Sequence, residues 1–112
     1  MVKLIVLLRT GARPPQYEEG YNHFLMLLEK LPGIRKKAVN SVYSGPGGLM
    51  PYRTVIEVYF DDRAALEAAL TSEAGVEAGN ALFNFAGPDA ITLFADVMEE
   101  AFDGPDAAAP LD

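Results

Sequence analysis

The 112-residue chain predicts one α+β domain, a four-stranded antiparallel sheet with helices on one face. Three observations predict it. Apolar segments come in the order strand, helix, strand, strand, helix, strand. The stretch Tyr52–Phe60 sorts its side chains onto two unlike faces: Thr54, Ile56, Val58 and Phe60 against Arg53, Val55, Glu57 and Tyr59. A helix with apolar residues at three- and four-residue spacing is closed by Pro32-Gly33.

Val2 to Arg9 is the first strand. Ile5 and Leu7 lie on one side and Leu4, Val6 and Leu8 on the other, so it is apolar on both faces and central in its sheet. The turn-rich stretch 10–15 leads to a helix from about Pro15 to Leu31, with Tyr17, Tyr21, Phe24, Leu25, Leu28 and Leu31 on one stripe. Met26 and Leu27 widen that stripe toward a second subunit, and Gly20 weakens the helix locally. Gly33 to Ser44 is the second strand, and its charged start marks an edge. A loop with Gly47-Gly48 joins it to the third strand, Tyr52–Phe60; the Gly-Gly has neither the strand-to-helix context nor the lysine of a phosphate cradle. Asp61 or Asp62 caps a helix over Arg63 to Leu70, Thr71-Ser72-Glu73 is a break and a fresh N-cap for a second helical piece to about Asn84, and Asp89 to Val97 is the last strand. Residues 1–101 form the domain. Residues 102–112, poor in core side chains, are expected to be a disordered tail.

This is the split β-α-β order of a ferredoxin-like sandwich. The sheet face without helices is too apolar and aromatic to leave in water, so a homodimer with two sheets packed face to face is expected.

Composition narrows the function classes. Half the residues are hydrophobic and 22% are charged, as in globular proteins. The net charge of −7 argues against nucleic acid as a partner. The one basic cluster, Arg35-Lys36-Lys37, reads as a solvated strand edge. With no cysteine there is no disulfide, thiolate nucleophile or cysteine-ligated metal. A membrane partner is not expected, because no apolar run approaches the roughly 18 residues of a span. Residues 1–9 suit a strand better than a signal peptide, which makes the cytoplasm the expected compartment.

Three stretches carry a family resemblance: Leu31-Pro32-Gly33-Ile34-Arg35 after an apolar helix, Glu57-Val58-Tyr59-Phe60-Asp61 before Leu66-Glu67-Ala68-Ala69-Leu70, and Asn84-Phe85-Ala86 before Pro88-Asp89. In order and spacing, over residues 2–100, they resemble EthD-type proteins of the dimeric α+β barrel superfamily, named for an association with ethyl tert-butyl ether degradation. The resemblance implies a ferredoxin-like protomer, a face-to-face dimer and a cleft between sheet and helices. Among such relatives are cofactor-free isomerases, cyclases and decarboxylases, with small monooxygenases in neighbouring families. Family members often carry a histidine, any residue, then Pro-Leu in the first helix. Here Phe24 holds the histidine position and Met26 the proline position, and His23 falls one residue early, rotated by about 100°.

Candidate chemistry rests on few residues. His23, the sole imidazole, is either a general base near neutral pH or a helix-surface histidine. Glu57 either exchanges protons from a sheltered site that raises its pKa or pairs with Arg9 or Arg53. Arg9 would clamp an anionic or enolate oxygen, or pair with an acid. Tyr17, Tyr21, Phe24, Tyr43, Tyr52, Tyr59, Phe83 and Phe85 supply aromatic walls or core contacts. No metal-ligand spacing and no cofactor motif is present. Two readings follow. One is a cofactor-independent enzyme that isomerises, cyclises or decarboxylates a small hydrophobic oxygenated compound, in a degradation or secondary-metabolic pathway. The other is a non-catalytic dimeric binding or accessory protein. An ionisable group of shifted pKa in an open pocket would favour the first, and a pocket filled by Phe24 and Met26 the second.

Overall fold

The computed structural model describes residues 1–11 and 13–102, so the expected tail lies outside the described residues from residue 103 onward. Its elements are β1 (Val2–Arg9), α1 (Tyr17–Leu28), β2 (Lys36–Ser41), β3 (Tyr52–Phe60), α2 (Arg63–Thr71), α3 (Glu73–Ala86) and β4 (Ala90–Asp96). The four strands form one antiparallel sheet in the order β2-β3-β1-β4, with β1 central and β2 at an edge, as the sequence predicts, and β3 the second central strand. This is the ferredoxin-like α+β sandwich.

Period-two alternation decides which face the helices cover. Val2, Leu4, Val6 and Leu8 of β1 and Thr54, Ile56, Val58 and Phe60 of β3 are all buried, together with Phe24, Leu27, Leu28 and Leu31 from the α1 region and Leu66, Ala69, Ala78 and Phe85 from α2 and α3. Each fully buried large apolar side chain contributes about 1.5–3 kcal/mol against leaving it exposed.

Local chemistry sets the boundaries. Asp62 caps α2 by accepting from the Ala65 N–H at 2.8 Å, and Ser72 Oγ caps α3 by accepting from the Gly75 N–H at 3.1 Å. Gly75 is required at that elbow, because a Cβ there would sit 2.2 Å from the Ala69 carbonyl oxygen. The predicted helix 15–31 is trimmed at both ends. Gln16 offers no side-chain cap, and after Leu28 the chain tightens to three-residue hydrogen bonds from Glu29, Lys30 and Leu31 to Met26, Leu27 and Leu28. The second strand is shorter than the predicted Gly33–Ser44. Single bonds from Arg35 N–H to Tyr59 O and from Val42 N–H to Arg53 O flank its ends.

Candidate functional site

The uncovered sheet face follows from the strand register. Lys3, Tyr59, Lys36 and Ala95 form one row across the four strands; Ile5, Glu57, Ala38 and Leu93 form the next; Leu7, Val55, Asn40 and Ile91 the third. Glu57 sits at the centre of a hydrogen-bonded group. Its Oε2 accepts from the Tyr59 hydroxyl at 2.7 Å and from the Lys3 ammonium at 3.0 Å, and its Oε1 accepts from the Asn40 amide at 3.3 Å. The Tyr59 hydroxyl and then Lys3 hold the Glu57 carboxyl below its ordinary range, while the bond to Glu57 raises the pKa of both Lys3 and Tyr59. The Lys36 ammonium lies 4.8 Å from the centre of the Tyr59 ring.

Two expectations are corrected here. Glu57 does not have a raised pKa, because three donors stabilise its charged form. Its cationic partner is Lys3, one strand away in the adjacent row, rather than Arg9 or Arg53. Arg9 is carried off the Ile5 and Leu7 row by an irregularity between Leu8 and Arg9, and its guanidinium rests 5.7 Å above the Tyr52 ring. Among the described residues Arg53 donates to the Gly11 carbonyl at 3.5 Å, and its Nε and Nη1 are buried without a partner.

Between α2 and β4 the helix layer stops short of the sheet edge and leaves a cleft of about 570 Å³. Val2, Leu66, Leu70, Phe94 and Ala95 give it apolar walls, with Glu67 and Thr71 along one side. Arg63 and Asp96 form a bidentate pair at its border, Nε to Oδ1 at 3.0 Å and Nη2 to Oδ2 alongside. A smaller cavity of about 100 Å³, lined by Leu4, Val6, Phe24, Leu82 and Thr92, shares Leu70 with this cleft. Sequence reasoning named none of the cleft's walls as a site residue, although Leu66 and Leu70 fall in one of the stretches that carry the family resemblance. The available signal was Phe94, an aromatic on the helix-facing row of a strand that few helical residues follow.

A second groove of about 430 Å³ runs between the start of α1 and the end of α3. It brings together three candidates, Tyr17, His23 and Phe85, with Glu19, Asn84 and Gln16 beside them. Gly20 sets its depth, since a Cβ at that position would lie 2.4 Å from the Phe85 Cβ. Tyr17, Tyr21 and Phe24 pack around Phe85 with ring centres 5.3, 6.1 and 5.7 Å away. Burial raises the pKa of Tyr17 and Tyr21, so both hydroxyls stay neutral. Phe24 is a core residue, 2% exposed, whereas Met26 faces outward. Tyr43 and Phe83, at 94% and 74% exposed, line none of these three cavities.

Among the described residues no cluster of three His, Asp or Glu side chains has metal-site geometry, and no helix is long and apolar enough to cross a membrane.

No family model matches the chain, and no curated protein does. Solved structures do. An ethyl tert-butyl ether degradation (EthD) family protein from Bacillus halodurans C-125 is 29% identical, with a TM-score of 0.82 over 88% of this chain and 99% of its own. A dimeric ferredoxin-like protein of unknown function from Jannaschia sp. CCS1 matches at 17% identity and a TM-score of 0.69, over 86% and 98% of the two chains. A cofactor-independent oxygenase from Streptomyces nogalater matches at 13% identity and a TM-score of 0.61, over 88% and 93%. The last two likenesses speak to fold alone. Together the three show a ferredoxin-like α+β sandwich, and the first shows a chain similar in both sequence and structure to an EthD family protein.

Proposed function

We propose that this protein is a homodimer, joined through the open sheet face, that binds a small and largely apolar compound in the cleft between α2 and β4. The cleft itself carries the reading. Its volume of about 570 Å³ falls in the range of small-molecule sites, and apolar walls with a few polar groups at the border suit a hydrophobic compound with one oxygenated end. The dimeric state draws support from structural neighbours described as dimeric. It also draws on the apolar side chains Ile5, Leu7, Ile91 and Leu93 of the uncovered face. Burial of Phe24 in the core, where relatives often have histidine, favours binding over catalysis.

A second reading rests on the α1–α3 groove. There the sole imidazole, His23, shares a wall with Glu19 and faces Asn84 above an aromatic floor of Tyr17 and Phe85. That arrangement suits cofactor-free proton transfer to or from a bound aromatic compound, giving isomerisation, cyclisation or decarboxylation.

Titration with naphthalene-sized probes, followed by methyl and aromatic NMR shifts, separates the two. Binding in the cleft moves Val2, Leu66, Leu70 and Phe94, and Leu70→Trp, which fills the cleft, abolishes it. Shifts confined to Tyr17, His23 and Phe85 would move the site to the second groove.

A further inference from the structure

We propose that the cleft between α2 and β4 takes a two-ring, hydroxylated aromatic compound with a short unbranched alkyl arm, its hydroxyl between Arg63 and Asp96 and its arm beyond Leu70. This rests on the cleft reading above and adds to it the class of ligand and its direction.

Two elements on opposite sides of the cleft set out the same order of groups. Along α2 run Arg63, Leu66 and Leu70; along the helix-facing row of β4 run Asp96, Phe94 and Thr92. Arg63 and Asp96 meet at one end in their bidentate pair. Leu66 and Phe94 wall the middle. At the other end stand Leu70 and Thr92, of which Thr92 lines the inner cavity and not the cleft. The polar end and the inner end are separated by about 10 Å along α2 and about 13 Å along β4. A single ring is too short to reach from the ion pair to Leu70, whereas two fused rings reach.

Each part of the ligand answers a feature of the site. Phe94 asks for a ring. It stands on the row that helices cover elsewhere in the sheet, yet it is 63% exposed, and among the described residues no other ring packs on it. The hydroxyl follows from charge, because the cleft border holds two acids, Asp96 and Glu67, against one base, Arg63. A carboxylate there meets net repulsion, while a hydroxyl donates to Asp96 and accepts from Arg63 at once.

The arm follows from Leu70. Among the described residues it is the one side chain that lines both the cleft and the inner cavity, and it is half-buried in the last turn of α2. One rotamer change there joins the two spaces. The space beyond is apolar, walled by Leu4, Val6 and Leu82, and a Cβ at Gly79 on its α3 side would meet nothing within 4 Å. Its volume of about 100 Å³ holds roughly three groups the size of a water molecule, which matches a three-carbon chain.

The test uses the full-length chain and 2-naphthols that carry hydrogen, methyl, ethyl, propyl or pentyl at the far end of the ring pair. Affinity, read from naphthol fluorescence, is expected to rise about fourfold per carbon up to propyl and to stop there. Methyl NMR shifts at Leu66 are expected with every probe, and those at Val6 and Leu82 only with an arm. Thr92→Leu, which narrows the inner cavity, is expected to cancel the gain from propyl. A cyclohexyl arm, too broad to pass Leu70, is expected to gain nothing over hydrogen. The carboxylate analogue of the propyl probe is expected to bind roughly tenfold more weakly than the naphthol. Cleft binding with equal affinity for every arm would overturn this proposal and leave the cleft reading standing. A gain that survives Thr92→Leu, or that cyclohexyl matches, would overturn it in the same way. Absence of any shift at Leu66 across the series would remove both.

Discussion

Thr54, Ile56, Val58 and Phe60 lie under the helices almost without solvent contact, while Arg53, Val55 and Glu57, the alternate residues of the same strand, stay half-exposed. The difference teaches what each face is for. The first row is filled to close packing and carries stability. The second combines apolar side chains with an ionised carboxylate held by Tyr59, Lys3 and Asn40, the composition of a surface that meets something else.

The largest effect that would break this comparison is a truncation on each face. Phe60→Ala is expected to lower the unfolding free energy by about 3–5 kcal/mol, against less than about 1 kcal/mol for Val55→Ala in the monomer, both read from urea unfolding. Equal losses would erase the distinction between the faces. Next comes the helix layer. Gly20→Ala drives a methyl into Phe85 and is expected to cost about 1–3 kcal/mol, although alanine is the better helix former. A stabilised variant would show that α1 and α3 are not in close contact at that point.

A smaller effect sharpens the open face. Because the Glu57 pKa is lowered in the fold, its stabilisation is present above the unfolded carboxylate pKa and is lost as pH falls through the folded value. Lys3 has a raised pKa, so its share is present below the unfolded lysine value and is lost as pH rises through the folded one. Wild type should therefore exceed Glu57→Gln by about 0.5–1 kcal/mol at pH 7, and the gap should close toward pH 3. A gap that widened on acidification would contradict the assignment. The smallest effect belongs to the exposed Arg63–Asp96 pair at the cleft border. Arg63→Ala should leave the unfolding midpoint unchanged within error.

Much of the fold was legible because periodicity and punctuation are local. The row Thr54 to Phe60, a cap at Asp61 or Asp62, a break with a fresh cap within Thr71-Ser72-Glu73, and the two-sided apolar β1 all follow from neighbouring residues, and the structure settles the caps on Asp62 and Ser72. The site was less legible, because it depends on contacts distant in sequence. Lys3 reaches Glu57 only through the β1–β3 register, and no local pattern ranks it above Arg9 or Arg53. Arg9 left its row through one irregularity after Leu8 that alternation does not foretell. The aromatic candidates divided for the same reason. Tyr17, His23 and Phe85 converge because α1 and α3 meet at Gly20, whereas Tyr43 and Phe83 face solvent. The α2–β4 cleft went unseen because it lies between the length of α2 and a strand distant in sequence, which no single residue announces.

The most direct test of the account is the native mass of the intact protein purified from its source cells under gentle conditions. The account predicts twice the mass of one chain, with Leu93→Lys reducing it to one. A wild-type protein of single-chain mass at micromolar concentration would contradict it, and would leave the apolar open face without the partner on which the account depends.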